Sequence, residues 1–85
     1  MGKCWPGDSV YFDFLNENAQ KYWAKQLSYD NFKGSNYLYS FWNDMNEPSV
    51  FDTPLKTLPM DALHYKADGR RFEHRDFHNA YGAMH

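Results

Sequence analysis

At 85 residues, with a net charge of −2 and a pI near 6.0, the chain has room for one small domain and offers no electrostatic case for nucleic acid or an anionic membrane as partner. Its one cysteine, Cys4, excludes an internal disulfide, no Cys/His zinc spacing appears, and no apolar run approaches the roughly 20 residues of a membrane span. Aromatic content is the outlying figure, at 20%, while Ile is absent; aromatic faces beside scattered Asp, Asn and His suit a sugar, and the plainer account is that they fill a core.

Met1-Gly2-Lys3 lacks the apolar stretch of a signal peptide, so no address is expected within these residues, and one belonging to a longer parent would lie outside them. Residues 4–16 read as loop, with a turn signal at Pro6-Gly7; Ser9 to Phe12 is too short to assign as a strand. The first helix is expected at about 16–28. Asn16 is the candidate N-cap, Glu17 puts an acid in the first turn, and Ala19, Tyr22, Trp23 and Leu27 recur at helical spacing. Ser28 to Asn36 reads as connection.

Tyr37 to Trp42 is nearly continuously apolar, which predicts a strand covered on both faces, as in a parallel sheet. It ends in Asn43-Asp44-Met45-Asn46-Glu47-Pro48. A helix followed by a strand with polar residues at its C-terminal end is the αβ half of a βαβ unit. From Pro48 to about Arg71 no periodicity holds, and a long loop is expected there. From Phe72 onward a helix is expected, with Phe77, Ala80, Tyr81 and Met84 as its apolar stripe.

The chemistry is concentrated in Trp42-Asn43-Asp44-Met45-Asn46-Glu47. Two carboxylates at a strand end beside an aromatic residue fit a nucleophile for an anomeric carbon. The same pattern also fits acids that cap a strand-to-loop junction, or a hard-metal site built from acid and amide oxygens. Asp44 and Glu47 are not expected to form a catalytic pair, because residues three apart on a strand and its exit loop diverge. His74 and His78 share a helix face at i, i+4, but Arg75 stands where a zinc metalloprotease helix carries Glu. Packing or hydrogen bonding across the helix is their expected role. Trp5-Pro6-Gly7 is either a sugar platform or a loop anchor.

Trp42-Asn43-Asp44-Met45-Asn46-Glu47-Pro48-Ser49-Val50-Phe51 resembles the nucleophile signature of glycoside hydrolase family 31, the α-glucosidase family. Trp5-Pro6-Gly7 with Ser9, Tyr11 and Asp13-Phe14 is similar to the segment one barrel unit upstream. His74-Arg75-Asp76 with His78-Asn79-Ala80-Tyr81-Gly82 is similar to the downstream helix. The resemblance covers nearly the whole chain. It implies an α/β fold, a fragment of a (β/α)8 TIM barrel, with one clear strand, flanking helices and a long βα loop.

A whole barrel takes roughly 250 residues, so residues 1–85 are expected to be a partial catalytic domain, incomplete at both ends, and inactive and poorly folded alone. The resemblance further implies retaining hydrolysis of terminal α-glucosides with no metal or organic cofactor. Asp44 would be the nucleophile, Trp42 and Met45 would line the glucose pocket and Trp5 would wall it. Asn46 and Glu47 would support the nucleophile, and the acid/base Asp would come from a later strand outside this chain. Asn43, Ser49-Val50-Phe51 and Phe72 to Asp76 most resemble the branch of the family that trims glucose from N-glycans in the endoplasmic-reticulum lumen. That branch implies a glucosylated N-glycan as substrate and a regulatory β subunit as partner. The competing expectation is a non-catalytic remnant that at most binds sugar through its aromatics.

Overall fold

The computed structural model describes residues 1–85. The chain opens with an antiparallel hairpin, β1 (Gly2–Cys4) and β2 (Gly7–Ser9), paired Gly2 to Ser9 and Cys4 to Gly7, with Trp5 and Pro6 at the tip. The Pro6-Gly7 signal therefore marks a hairpin turn, and the stretch expected to be loop begins as strand. Gly7 sits at φ +99°, a conformation open to glycine and costly for other residues. Gly2 is required for a different reason. A Cβ there would lie 2.7 Å from Cγ1 of Val50, one of the most buried side chains.

Helix α1 runs Glu17–Gln26, close to expectation. The Asn16 side chain accepts from the Asn18 N–H at 2.9 Å, satisfying one of the donors that a helix start leaves unpaired. Its apolar face meets Phe12 and Phe14: the Trp23 ring lies 5.7 Å from the first and 6.3 Å from the second. No residue of α1 is fully buried.

The predicted strand at Tyr37–Trp42 does not form. Tyr37 and Leu38 lie in a turn, closed by the Leu38 N–H on the Asn36 side chain and the Tyr39 N–H on the Asn36 carbonyl; Ser40–Asn43 forms no regular structure, and Tyr37 is 82% and Trp42 86% exposed. A strand of a parallel sheet exists only as part of a ladder, and these 85 residues place no strand beside it. Its apolar pattern is thus left without the partners that would make it a strand.

The long loop is more ordered than its lack of periodicity suggests. Ser49 bridges Thr57, and the Phe51 N–H donates to the Lys3 carbonyl at 2.7 Å, tying this turn to β1. A second antiparallel hairpin follows, with strands as short as those of the first: β3 (Leu63–Tyr65) and β4 (Arg71–Glu73), with His64 opposite Phe72. The helix expected from Phe72 starts only at His74, because Phe72 and Glu73 are committed to β4. It is then divided into α2 (His74–Phe77), a 3-10 turn (His78–Ala80) and α3 (Tyr81–Met84). Phe77 leaves helical geometry at φ −123°, and its ring packs edge-on against Phe72 at 5.1 Å.

Only eight residues are buried, and four of them are Ser49, Thr57, His64 and His74. The radius of gyration, 14.1 Å, exceeds the roughly 12 Å of a close-packed chain of this length. What holds the centre is polar. Asp13 Oδ1 lies 2.7 Å from His64 Nδ1, His64 Nε2 lies 2.9 Å from His74 Nδ1, and His74 Nε2 lies 2.9 Å from His78 Nδ1. The other oxygen of Asp13 accepts the Tyr65 N–H at 2.6 Å. A carboxylate only accepts, so His64 carries its proton on Nδ1. With all three rings neutral, every Nδ1–H donates in one direction, from His78 through His74 and His64 to Asp13.

His74 is completely buried, and burial, followed by the neighbouring His64 and His78, pushes its pKa down from 6.5 to about 4. A group with a depressed folded-state pKa leaves the unfolded chain holding the extra proton between those two values. Stability is therefore full above pH 6.5 and falls as the pH drops toward 4. Urea denaturation at pH 7.5, 5.5 and 4.5, with residues 1–85 carried within a complete barrel, is expected to show that decline. A His74→Gln chain is expected to be less stable at pH 7.5 and to show a shallower dependence.

Candidate functional site

Asp44 follows the unpaired stretch and precedes a tight turn. Met45, at φ +58°, reverses the chain in the left-handed region, and the Ser49 N–H closes the turn onto the Met45 carbonyl at 3.0 Å. Three bonds to other segments fix this turn. The Tyr11 hydroxyl donates to the Ser49 carbonyl at 2.6 Å, the Thr57 hydroxyl donates to the Pro48 carbonyl at 2.7 Å, and the Val50 N–H donates to the Lys56 carbonyl at 3.0 Å. Pro48, Ser49 and Val50 are buried, so the turn stands on the best-packed part of the chain.

The turn opens onto a groove of about 350 Å³. Asp44, Met45 and Asn46 form one wall, and Phe12, Phe14, Trp23, Tyr81 and His85 contribute an aromatic floor. The His85 ring stacks on Phe14 at 5.1 Å and lies 5.3 Å from Trp23. Tyr81 donates its hydroxyl to the Phe12 carbonyl at 2.9 Å, and burial, with Asp13 and Tyr11 adding, pushes its pKa up to about 12. It is a neutral donor at any physiological pH. Burial likewise lowers the pKa of His85, which favours its neutral form. Burial first, then the Cys4 thiol, raises that of Tyr11. Trp23 Nε1 and His85 Nδ1 are enclosed without a hydrogen-bond partner in this chain.

Of the residues singled out in the sequence, Asp44, Met45 and Asn46 are brought together on this groove. Glu47 is exposed and lies outside its lining. Trp5 is 74% exposed at the β1–β2 tip, with its ring edge-on to Phe51 at 5.4 Å, also outside the lining. Trp42 lines a separate hollow with Phe32, Tyr39 and Phe41. His74 and His78 bond to each other across the helix, as their spacing suggested, and extend further to His64 and Asp13. Sequence reading did not find that extension. Asp13 and His64 are 51 residues apart, and neither belongs to a spacing pattern that marks a bond. Tyr81 was read as part of an apolar stripe; its hydroxyl bond to Phe12 spans 69 residues and leaves no local trace.

Residues 1–85 match the family description "Glycosyl hydrolases family 31 TIM-barrel domain". The chain is 53% identical over 81 residues to "Probable glucan 1,3-alpha-glucosidase" of Oryza sativa subsp. japonica, and 51% identical over 81 residues to "Neutral alpha-glucosidase AB" of Homo sapiens. Each match covers 95% of this chain and 8% of the relative, so the chain spans about a twelfth of their length. A crystal structure of the ER glucosidase II heterodimeric complex, consisting of the catalytic subunit and the binding domain of the regulatory subunit, superposes with a TM-score of 0.85 at 46% identity. The superposition covers 98% of this chain and 9% of that one.

The buried Thr57–Pro48 bond under the turn gives a direct check on this geometry. Thr57→Val keeps the shape but leaves the Pro48 carbonyl unpaired, and, with residues 1–85 carried in a complete relative, is expected to cost about 1–3 kcal/mol in urea denaturation at pH 7.5.

Proposed function

The chain belongs to glycosyl hydrolase family 31 and lies within that family's TIM-barrel domain, and from that premise we propose that it carries the nucleophile of a retaining α-glucosidase, Asp44. One observation carries the reading: of the two acids in Asp44-Met45-Asn46-Glu47, only Asp44 borders the aromatic groove. The Asp44 carboxylate attacks the anomeric carbon from the face opposite the leaving group and forms a β-glycosyl–enzyme intermediate, which water then hydrolyses. The departing oxygen needs a proton from a second carboxyl about 5–5.5 Å away across the scissile bond. That acid/base is assigned to a later barrel strand outside these residues, so residues 1–85 alone do not turn over substrate. No step calls for a metal or organic cofactor.

Trp42 and Met45 bind the non-reducing glucose and Trp5 walls the pocket, with Trp5 and Trp42 carried to it by the complete barrel. Asn46 and Glu47 support the Asp44 turn. The similarity to glucosidase II and neutral α-glucosidase AB supports trimming of glucose from N-glycans in the endoplasmic-reticulum lumen as the role of the complete enzyme. A regulatory subunit is then its partner, as in the heterodimeric relative.

The test is made in a complete enzyme in which residues 1–85 replace the matching segment of human neutral α-glucosidase AB. Asp44→Ala is expected to lower turnover of an α-glucoside by about four orders of magnitude or more, with the melting temperature nearly unchanged. A fluorinated glucosyl donor, followed by peptide mapping, is expected to label Asp44. Label on Glu47, or near-normal turnover by Asp44→Ala, overturns the assignment.

A further inference from the structure

We propose that Gly82 is a positioning residue for Asp44: its lack of a side chain lets α3 seat directly on the backbone of Asn46, and this contact holds the left-handed turn at Met45 that places Asp44 on the groove. The inference rests on the reading of Asp44 as nucleophile and adds a residue that does not touch the substrate.

The geometry runs from both sides of one contact. A Cβ built on Gly82 would lie 3.1 Å from the Asn46 carbonyl oxygen, 3.4 Å from Asn46 Nδ2 and 3.5 Å from Asn46 Cγ. Gly82 lies within α3 and is not in the left-handed region, unlike Gly7, Gly34 and Gly69, so the demand for glycine here is one of space alone. On the α3 side, the position of Gly82 is set by Tyr81 immediately before it. Tyr81 is buried, bonds through its hydroxyl to the Phe12 carbonyl, and packs edge-on against Phe14 at 5.4 Å and His74 at 6.2 Å. Through His74, α3 shares the histidine chain that ends on Asp13. The helix cannot retreat from Asn46 without disturbing that buried cluster.

On the other side, Met45 holds a backbone conformation that costs a residue with a Cβ and persists only where its surroundings over-determine it. The Ser49–Met45 bond closes the turn from below. Gly82 closes it from above, at the residue next to Met45 and two from Asp44. A methyl group at 82 therefore displaces Asn46 by a few tenths of an ångström, and the displacement reaches Asp44 through one strained residue. Shifts of this size at a nucleophile act on the rate of the chemical step more than on substrate binding.

The experiment uses the same complete hybrid enzyme, with Asp44→Ala, Gly82→Ala, Tyr81→Phe and Gly69→Ala compared. Gly69 is at φ +85° with open space around it in the β3–β4 turn, so its alanine variant is strained but lies outside the groove lining. Gly82→Ala is expected to lower kcat about tenfold with KM within twofold, and to slow labelling of Asp44 in proportion. Gly69→Ala is expected to lower the melting temperature and leave kcat and KM unchanged. Tyr81→Phe, a milder change that loosens α3 just before Gly82, is expected to lower kcat about threefold, and it decides the matter if Gly82→Ala does not fold. Unchanged kcat in Gly82→Ala (or in Tyr81→Phe, where that variant decides), or an equal kcat loss in Gly69→Ala, overturns the inference while an inactive Asp44→Ala leaves the nucleophile standing. Turnover by Asp44→Ala, or an inactive unsubstituted hybrid, overturns both.

Discussion

The bond chain from Asp13 through His64 and His74 to His78 is the constraint on which the rest of this structure depends. It joins three stretches that the backbone brings together only through the tertiary fold: the segment after β2, hairpin β3–β4, and the helical region that follows. Each ring nitrogen inside the chain has a single partner, so the loss of one member strands polar atoms on both of its neighbours. Hydrophobic burial tolerates sliding; a directional series of donors and acceptors does not. With few aliphatic side chains in the centre, this polar series gives the core its register.

The same scarcity of buried apolar surface explains the opposite side of the molecule. Phe32, Tyr37, Leu38, Tyr39, Phe41 and Trp42 are all exposed, in a stretch with no ladder to join. Contiguous apolar surface of this kind marks a site of association. For a chain that belongs to a barrel family, and spans about a twelfth of its relatives, the neighbouring strands of a parallel barrel are the fitting cover. The molecule is thus ordered around its histidines and open where a sheet would lie.

Between these two regions sits the Asp44 turn. It borrows order from the packed side, through Tyr11, Thr57 and Gly82, and presents Asp44 toward the groove. The turn that follows Asp44 is built on a left-handed residue, Met45, and closed by the Ser49 N–H on the Met45 carbonyl.

The sequence by itself determined what depends on neighbours along the chain. The capped helix at Asn16, the Pro6-Gly7 turn and the His74–His78 pairing at one helical turn are all set within a few residues, and the run from Trp42 to Phe51 by itself resembles a family 31 signature. Tertiary structure alone decided the features made by distant partners: the extension of the histidine pair to His64 and Asp13, the hydroxyl of Tyr81 on Phe12, and the absence of side-chain room at Gly82. It also decided that Tyr37–Trp42 is not a strand here. The physical reason is common to all of these. A helix closes its hydrogen bonds within itself and can be read locally, whereas a strand, a buried relay or a close contact exists only when its partner is present.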